Sequence, residues 1–169
     1  MNAMLNRSLT YHLASIAEDG IGNATRIFEK RFGWNVYEIR VLRLVRDTPG
    51  ITFTRLAQLT KFERSATSRM LSRLIKAGLV TRANSEADAR QFSLTITGSG
   101  LDLCAKADPL SLELEAMMLE PLTEAQRAMF REMLATLLPW VREGYAEKVR
   151  ERFPEAHTAS PRKRGRPDF

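Results

Sequence analysis

The segment 56–100, LAQLTKFERSATSRMLSRLIKAGLVTRANSEADARQFSLTITGSG, constrains the fold of this chain more than any other. After a short helix and a turn, its apolar spacing predicts a second helix over about 64–77. Gly78 suits the left-handed residue that commonly follows a helix. Two alternating stretches, 79–83 and 91–96, predict a hairpin with a charged tip. This order indicates a helix-turn-helix that carries a wing, which is a device for reading double-stranded DNA.

Helices are predicted on both sides of this segment and at its start. The apolar spacing and the capping residues place them at about 9–30, 35–47, 52–59, 98–120 and 123–149. Pro109 is expected to kink or break the fourth of these helices, and Pro139 to bend the last. The predicted fold is therefore mainly α with a small β-hairpin wing, in which a winged helix-turn-helix is combined with N- and C-terminal helices.

The terminal helices contain more Leu and Met than a small DNA-reading module can bury. Such side chains are usually buried where the helices at the two ends of the chain pack together, both within a subunit and across a dimer. We therefore predict dimerisation helices at 1–34 and 98–153, a DNA-binding domain at 35–97 and a basic tail, disordered when free, at 154–169. One larger monomeric core is the alternative.

Composition limits the function classes. The chain has 169 residues and a net charge of +6, which favours an anionic partner such as nucleic acid. No apolar run reaches the roughly 20 residues that span a bilayer, and the N-terminus has no secretory signal. We therefore expect a cytoplasmic protein without membrane contacts.

Catalytic and metal-binding groups are not suggested by the sequence. Two histidines far apart, one cysteine and no glycine-rich phosphate loop give no basis for an enzyme, a cofactor or a metal site. Cys104 is either a small apolar side chain on a buried helix face or a redox-sensing thiol. The second interpretation requires a lowered pKa and access to solvent.

The helix at 64–77 has an apolar arc and a basic arc on a wheel of 100° per residue. The basic arc carries three serines and three cations but no carboxylate. Serines would let the helix approach the major-groove floor, where arginine, Arg73 in particular, would meet guanine O6 and N7. Helix-end cations would hold phosphates. A solvated face is the alternative. The candidate DNA contacts here are Lys61, Arg64, Ser65, Thr67, Ser68, Arg69, Ser72, Arg73 and Lys76.

The hairpin tip provides a second candidate contact. Arg90 is placed to enter the minor groove, where narrow A·T segments concentrate negative potential. Asp88 lies two positions earlier and is expected to orient that guanidinium. For Arg82 and Arg90, a role as ordinary strand-edge charges is the alternative.

Together these features resemble the MarR family of bacterial winged-helix regulators. The resemblance covers roughly 9–149, and its specific signature is Asp88 and Arg90 in the wing, followed by Leu94, Thr97 and Gly100. Ala89 departs from the family pattern, in which a second wing arginine is frequent at this position.

The resemblance implies a homodimer that binds a pseudo-palindromic operator, with its two DNA-binding domains about 34–36 Å apart. It also implies a protein that is associated with the bacterial nucleoid when bound to DNA. It also implies a repressor released by a small aromatic acid or phenol bound between the dimer platform and the reader. The candidate pocket residues are Tyr11, His12, Trp34, Tyr37 and Arg40. Core positions for Trp34 and Tyr37, and a structural ion pair for Arg40, are the alternatives.

The C-terminal sequence PRKRGRP resembles an AT-hook, whose Arg-Gly-Arg-Pro core lies in the minor groove of A·T-rich DNA. A solvated basic terminus that adds only salt-dependent attraction to phosphates is the alternative. The candidate contacts in the tail are Arg162, Lys163, Arg164 and Arg166.

Three functions remain open from the sequence. The leading one is a sequence-specific regulator under ligand control. The second is an architectural protein that coats A·T-rich DNA without ligand control, and the third is a regulator that senses oxidants through Cys104.

Overall fold

The computed structural model describes residues 7–84 and 92–157, which form an α-rich structure with one small antiparallel sheet. Its elements are, in chain order, α1 Leu9–Phe32, α2 Val36–Asp47, β1 Ile51–Thr52, α3 Phe53–Thr60, α4 Arg64–Lys76, β2 Val80–Asn84, β3 Phe92–Ile96, α5 Gly98–Met118, α6 Glu124–Arg142, α7 Gly144–Arg152 and a 3₁₀ turn Pro154–His157. The predicted combination of a helix-turn-helix, a hairpin and flanking helices is confirmed.

Local capping sets several helix ends where the sequence predicts them. The Asn35 side chain accepts the Glu38 backbone N–H at 2.9 Å, and the Glu38 carboxylate accepts the Asn35 N–H at 3.0 Å. Thr123 and Gln126 exchange the same pair of bonds at the start of α6. Each box satisfies N–H groups that a helix start leaves without partners. Gly78, with φ of 72°, takes the left-handed conformation after α4.

The sheet has the strand order β1-β3-β2, with antiparallel pairing throughout. In the hairpin Val80 pairs with Ile96, and on the other side of β3 Ile51 pairs with Leu94. The two-residue β1 is absent from the predicted elements, because so short a strand has no alternation to detect. It joins the start of the helix-turn-helix to the base of the wing.

Neither of the two helical prolines ends its helix. Helix α5 continues through Pro109, which removes one backbone donor without ending the helix. Helix α6 likewise continues through Pro139 and ends at Arg142. The prediction of a single helix to about residue 149 is wrong, because Glu143 takes a φ of −116° and ψ of −74° and α7 begins after it.

The chain divides after Met118 into two compact units. The first unit contains two apolar clusters. One lies beneath the helix-turn-helix and sheet and includes Leu42, Leu56, Leu74 and Leu94. The other joins α1, α2 and α5 through Phe28, Ile39, Ala107 and Leu110. Both clusters include residues of α2, so this helix connects the reader to α1 and α5.

In the second unit, neither α6 nor α7 has a buried residue. Arg127 organises the turn before α6, where its Nε donates to the carbonyls of Leu119 and Leu122, both at 2.9 Å. Its Nη2 also donates to the Glu120 carbonyl at 3.2 Å. One side chain thus satisfies three backbone acceptors that the turn leaves without helical partners.

Candidate nucleic-acid interface

Helix α4 presents one face to the core and the opposite face to solvent. Leu71 and Leu74 are buried, and α4 contacts α2, α3 and β2. We use the term reader face for five of its solvent-exposed residues, namely Ser65, Ser68, Arg69, Ser72 and Lys76. Each of these side chains is a hydroxyl or a cation, so the face has the chemistry that a major-groove contact requires.

Thr67 does not belong to the reader face, and its prediction as a DNA contact is wrong. The residue is 0% exposed, and its hydroxyl lies 3.1 Å from that of Thr60. Thr67 also donates to the Glu63 carbonyl at 3.3 Å. The hydroxyl therefore joins α3 to α4 inside the helix-turn-helix. Its position on the apolar arc, four and seven residues before Leu71 and Leu74, is the signal for this role.

Arg73 is exposed, but its guanidinium already has partners within the subunit. Nη1 donates to the Glu38 carboxylate at 2.6 Å, and Nη2 donates to the Gly33 carbonyl at 2.9 Å. The guanidinium carbon also lies 4.6 Å from the centre of the Trp34 ring. The sequence gives no indication of these contacts, because 35 or more residues separate Arg73 from each partner.

Arg69 lacks such partners, since it forms no hydrogen bond or ion pair with the part of the chain that the structure describes, 7–84 and 92–157. Its side chain is exposed one helical turn before Arg73. Of these two arginines, Arg69 is thus the one that has all its donors free of partners among the described residues.

Two cations lie at the start of the reader helix. The Arg64 guanidinium stacks over the Phe53 ring at 4.8 Å, which fixes its direction while leaving the residue exposed. Lys61 occupies the turn between α3 and α4 with φ of 59° and is also exposed. Both residues are predicted phosphate contacts, and the structure places both at the N-terminal end of α4.

The base of the wing is fixed to the end of α4. Thr97 Oγ1 donates to the Gly78 carbonyl at 2.7 Å and accepts the Gly100 N–H at 3.1 Å. Gly100 lies so close to the chain that an added Cβ would be 2.4 Å from the Leu79 carbonyl oxygen. These contacts give a physical reason for Thr97 and Gly100 in the family signature.

The predicted contacts at the wing tip and in the tail lie outside the described residues. These are Asp88 and Arg90, and Arg162, Lys163, Arg164 and Arg166. At the wing base, the Arg82 guanidinium stacks over the ring of Phe92 at 5.0 Å. This contact gives Arg82 a definite orientation on the hairpin.

The predicted effector residues do not form one pocket within a subunit. Tyr11 and His12 contact each other near the start of α1, with ring centres 5.9 Å apart. Because an α-helix rises about 1.5 Å per residue, His12 lies on the order of 30 Å from Phe32 at the other end. Trp34 follows that distant end, so a common pocket for these residues within one subunit is excluded.

A pocket of about 540 Å³ lies between α2, the α3–α4 turn and α4. We call it the Tyr37 pocket; it is lined by Tyr37, Lys61, Phe62, Glu63, Ala66, Arg69 and Met70. The rings of Tyr37 and Phe62 meet edge to face at 5.0 Å. The Arg40 guanidinium lies 5.6 Å from the Tyr37 ring and 5.9 Å from the Phe62 ring. Arg40 thus packs against aromatic rings, and Phe62 is a lining residue that the sequence analysis missed.

A charged cluster joins α2 to α5. Asp108 accepts hydrogen bonds from Arg43 at 2.7 Å and from Arg46 at 2.6 Å, and Arg43 also donates to Ser111 at 2.7 Å. Burial raises the pKa of Asp108, but the hydrogen bonds from Arg46 and Arg43 outweigh this effect and hold the pKa below its usual value. The cluster therefore stabilises the ionised carboxylate.

Cys104 lies on the buried side of α5 and is 1% exposed. Burial raises the pKa of its thiol above the ordinary value. Reactive cysteines have the opposite properties, namely solvent access and a lowered pKa. The geometry therefore favours a small apolar side chain in the core.

Within residues 7–84 and 92–157, no group of three or more His, Cys, Asp and Glu side chains is arranged to hold a metal ion. Over the same residues, none of the helices has both the length and the apolar character needed to cross a bilayer.

Sequence comparisons extend the resemblance noted above. The MarR family model matches residues 33–91. The HTH-type transcriptional repressor Rv2887 of Mycobacterium tuberculosis is 30% identical over 105 residues, which cover 62% of this chain and 76% of that protein. The transcriptional regulator HosA of Escherichia coli is 26% identical over 98 residues, which cover 58% of this chain and 73% of that protein.

Solved structures share the same fold. A mutant MarR from E. coli, complexed with operator DNA, matches with a TM-score of 0.69 at 21% identity, covering 78% of this chain and 94% of that one. At this identity the match concerns the fold alone. The family model, the identity with Rv2887 and the shared fold agree, and the chain belongs to the MarR family of winged-helix transcriptional regulators.

Proposed function

We propose that this protein is a homodimeric repressor that binds a pseudo-palindromic operator and is released from it by a small aromatic acid or phenol. The observation that carries the proposal is that every exposed side chain of α4 is a hydroxyl or a cation; these are Arg64, Ser65, Ser68, Arg69, Ser72, Arg73 and Lys76. A helix that were merely soluble would be expected to mix charges of both signs on this face.

The reader face suggests how the contacts are divided. Arg69 is the proposed base-reading arginine, because its donors have no partners among the described residues and can meet guanine O6 and N7. Ser65, Ser68 and Ser72 keep the helix close to the groove floor. Lys61, Arg64 and Lys76 are the proposed phosphate contacts, and Asp88 with Arg90 would act in the minor groove.

Dimerisation is supported by the apolar side chains that α6 exposes. Leucine, methionine and tryptophan residues recur at helical spacing along it and are 39–56% exposed; they are Met129, Met133, Leu134, Leu137, Leu138 and Trp140. Exposed apolar surface of this extent marks an interaction site in a soluble protein. A second copy of the chain is the occupant that the family membership favours.

The Tyr37 pocket supports effector control. Its aromatic and methionine side chains suit a planar ring, while Lys61 and Arg69 suit a carboxylate or phenolate. Arg69 also belongs to the reader face, so a ligand that binds it would compete with the operator. Release then requires only that the ligand prefers the state unable to bind DNA.

The first experiment is selection of bound sequences from random DNA, followed by footprinting with the full-length protein. The proposal predicts a short, two-fold symmetric footprint and a dimer in solution. Arg69→Ala should remove discrimination at one base pair per half-site, at a cost of about 1–3 kcal/mol. Arg26→Ala, an exposed α1 variant, is the charge-matched control. Because α1 belongs to the predicted dimerisation helices, the variant is first checked to be dimeric, and it should then leave the base preferences unchanged.

Broad coverage of A·T-rich DNA without a discrete site would overturn the proposal and support the architectural alternative. Effector control is tested by release of the operator in a panel of aromatic acids and phenols, with benzoate and phenol as the simplest probes. A Tyr37→Leu variant should keep operator binding and lose release. If no compound releases the wild-type protein, ligand control is rejected while DNA recognition stands.

A further inference from the structure

Arg73 connects three parts of the first unit through one guanidinium. Its own helix is α4, the Gly33 carbonyl that it binds follows α1, and the Glu38 carboxylate belongs to the first turn of α2. The guanidinium carbon also lies over the ring of Trp34, which packs against both apolar clusters. The reader helix is thereby tied to the junction of α1 and α2.

Glu38 depends on this contact, because it is 3% exposed. One carboxylate oxygen accepts the Asn35 N–H in the capping box, and the other accepts from Arg73 at 2.6 Å. A buried carboxylate oxygen without a donor is costly, so the geometry favours an Arg73 that stays in place.

This arrangement restricts how Arg73 could meet a base. Bidentate recognition of guanine requires two N–H groups of the guanidinium fork to be directed at the groove. Arg73 already directs one N–H from each terminal nitrogen into its own subunit. Its three remaining N–H groups are fixed in direction by the bonds to Glu38 and Gly33, whereas Arg69 has no such restraint among the described residues.

We propose that Arg73 is a positioning residue, which fixes the orientation of the reader helix against the α1–α2 junction through Glu38 and does not itself read a base. This inference rests on the proposed function, since it concerns how operator binding is achieved. It corrects the expectation from the sequence that Arg73 reads the major groove.

The test compares Arg73→Ala, Glu38→Gln and the double variant with Arg69→Ala, using the selected operator and every single-base substitution of one half-site. Glutamine at position 38 can keep the capping box, because Gln serves there as Glu does. We expect Arg73→Ala and Glu38→Gln each to weaken operator binding by about 10-fold, with little further loss in the double variant, as for coupled residues. Neither should change the relative base preferences.

The base-preference profile separates positioning from reading. Loss of discrimination at one base pair in Arg73→Ala, with an unchanged profile in Glu38→Gln, would overturn the inference. Additive losses in the double variant would also overturn it. Absence of any specific operator for the wild-type protein would instead reject the proposed function, so the two failures are distinguishable.

A measurement without DNA keeps the inference testable if binding is lost through misfolding. In a Trp140→Phe background Trp34 is the remaining tryptophan, and its fluorescence should change in the same direction in Arg73→Ala and Glu38→Gln. Circular dichroism checks that both variants are folded. Unchanged Trp34 fluorescence in a folded Glu38→Gln variant would show that Glu38 does not hold Arg73, and would overturn the inference.

Discussion

The hydroxyl of Thr97 donates to the carbonyl of Gly78 at 2.7 Å and at the same time caps the start of α5 by accepting the Gly100 N–H. One side chain therefore connects the residue after the reader helix to the first turn of the next helix. The backbone strengthens the connection, because the Thr97 N–H donates to the Leu79 carbonyl at 3.0 Å. Thr97 thus holds the end of α4, the wing base and the start of α5 together.

Thr97→Val tests this connection, because it removes the hydroxyl with little change of shape. We expect a loss of about 1–2 kcal/mol in unfolding free energy, as for removal of a helix N-cap. Urea denaturation measures it. Thr95→Val is the control: this exposed strand residue should change stability by less than about 0.5 kcal/mol. Equal effects of the two variants would contradict the proposed role.

Gly100→Ala tests the close approach of α5 to the sheet. The added Cβ would lie 2.4 Å from the Leu79 carbonyl oxygen and 2.6 Å from Ile96 Cγ1, so the backbone must shift. We expect a loss of about 1–3 kcal/mol, the usual cost of overpacking. Gly98→Ala has open space around its Cβ and should be close to neutral by the same thermal or urea unfolding assay. A neutral Gly100→Ala would refute the close packing.

Asp108→Asn tests the charged cluster on α2 and α5. A carboxyl group whose folded pKa is lowered stabilises the fold above its unfolded pKa of about 4, and this contribution is lost as the pH falls through the folded pKa. We expect the variant to be less stable by about 1 kcal/mol at pH 7, a modest effect because the side chain is partly exposed. The difference should shrink below about pH 4.

The control for this prediction is Asp102→Asn, an exposed aspartate on the same helix. It should change stability at pH 7 by less than about 0.5 kcal/mol. A difference between wild type and Asp108→Asn that is constant from pH 7 to pH 3 would exclude the cluster as its source.

Cys104 should react slowly with thiol reagents in the folded protein. The thiol is buried and its pKa is raised, so labelling requires local opening of α5. We expect labelling by an aromatic disulfide reagent to be about 100-fold slower than in urea, where the thiol is accessible. Rapid labelling of the native protein would revive the redox-sensing hypothesis, especially if oxidant releases DNA from wild type and not from Cys104→Ser.

Truncation after Glu155 tests the basic tail. Removal of its cations should weaken binding to every DNA and lower the slope of log affinity against log salt by about one unit for each phosphate that the tail neutralises. Titrations at several salt concentrations, on A·T-rich and G·C-rich duplexes, measure both effects. An equal decrease in affinity for the two duplexes supports the solvated basic terminus, whereas a larger decrease for A·T-rich DNA supports the AT-hook.

Local chemistry made much of the fold predictable. The capping boxes at Asn35 and Thr123 and the left-handed Gly78 each depend on residues within a few positions, and all three are confirmed. The break at Glu143 was not predictable in this way. Pro139 was the visible signal there, but its ring removes only one donor, and the helix continues to Arg142.

The site was less predictable because its decisive contacts join distant parts of the chain. A helical wheel gives the exposed face of α4 but cannot show that Arg73 meets Glu38, which lies 35 residues away. For Thr67 the wheel was informative, because it places this hydroxyl on the apolar arc, and the structure buries it beside Thr60. Phe62 was not predicted to line a pocket, because nothing in the turn sequence indicates that Tyr37 packs against it.

The left-handed Lys61 has a consequence for how the helix-turn-helix can be engineered. Its φ of 59° is a conformation that glycine adopts without steric cost, so Lys61→Gly should relax the turn between α3 and α4. The same substitution removes a positive charge from the rim of the Tyr37 pocket. Relief of the left-handed backbone and retention of the positive charge therefore exclude each other at this position. A variant stabilised by glycine here would attract anions to the pocket rim less strongly.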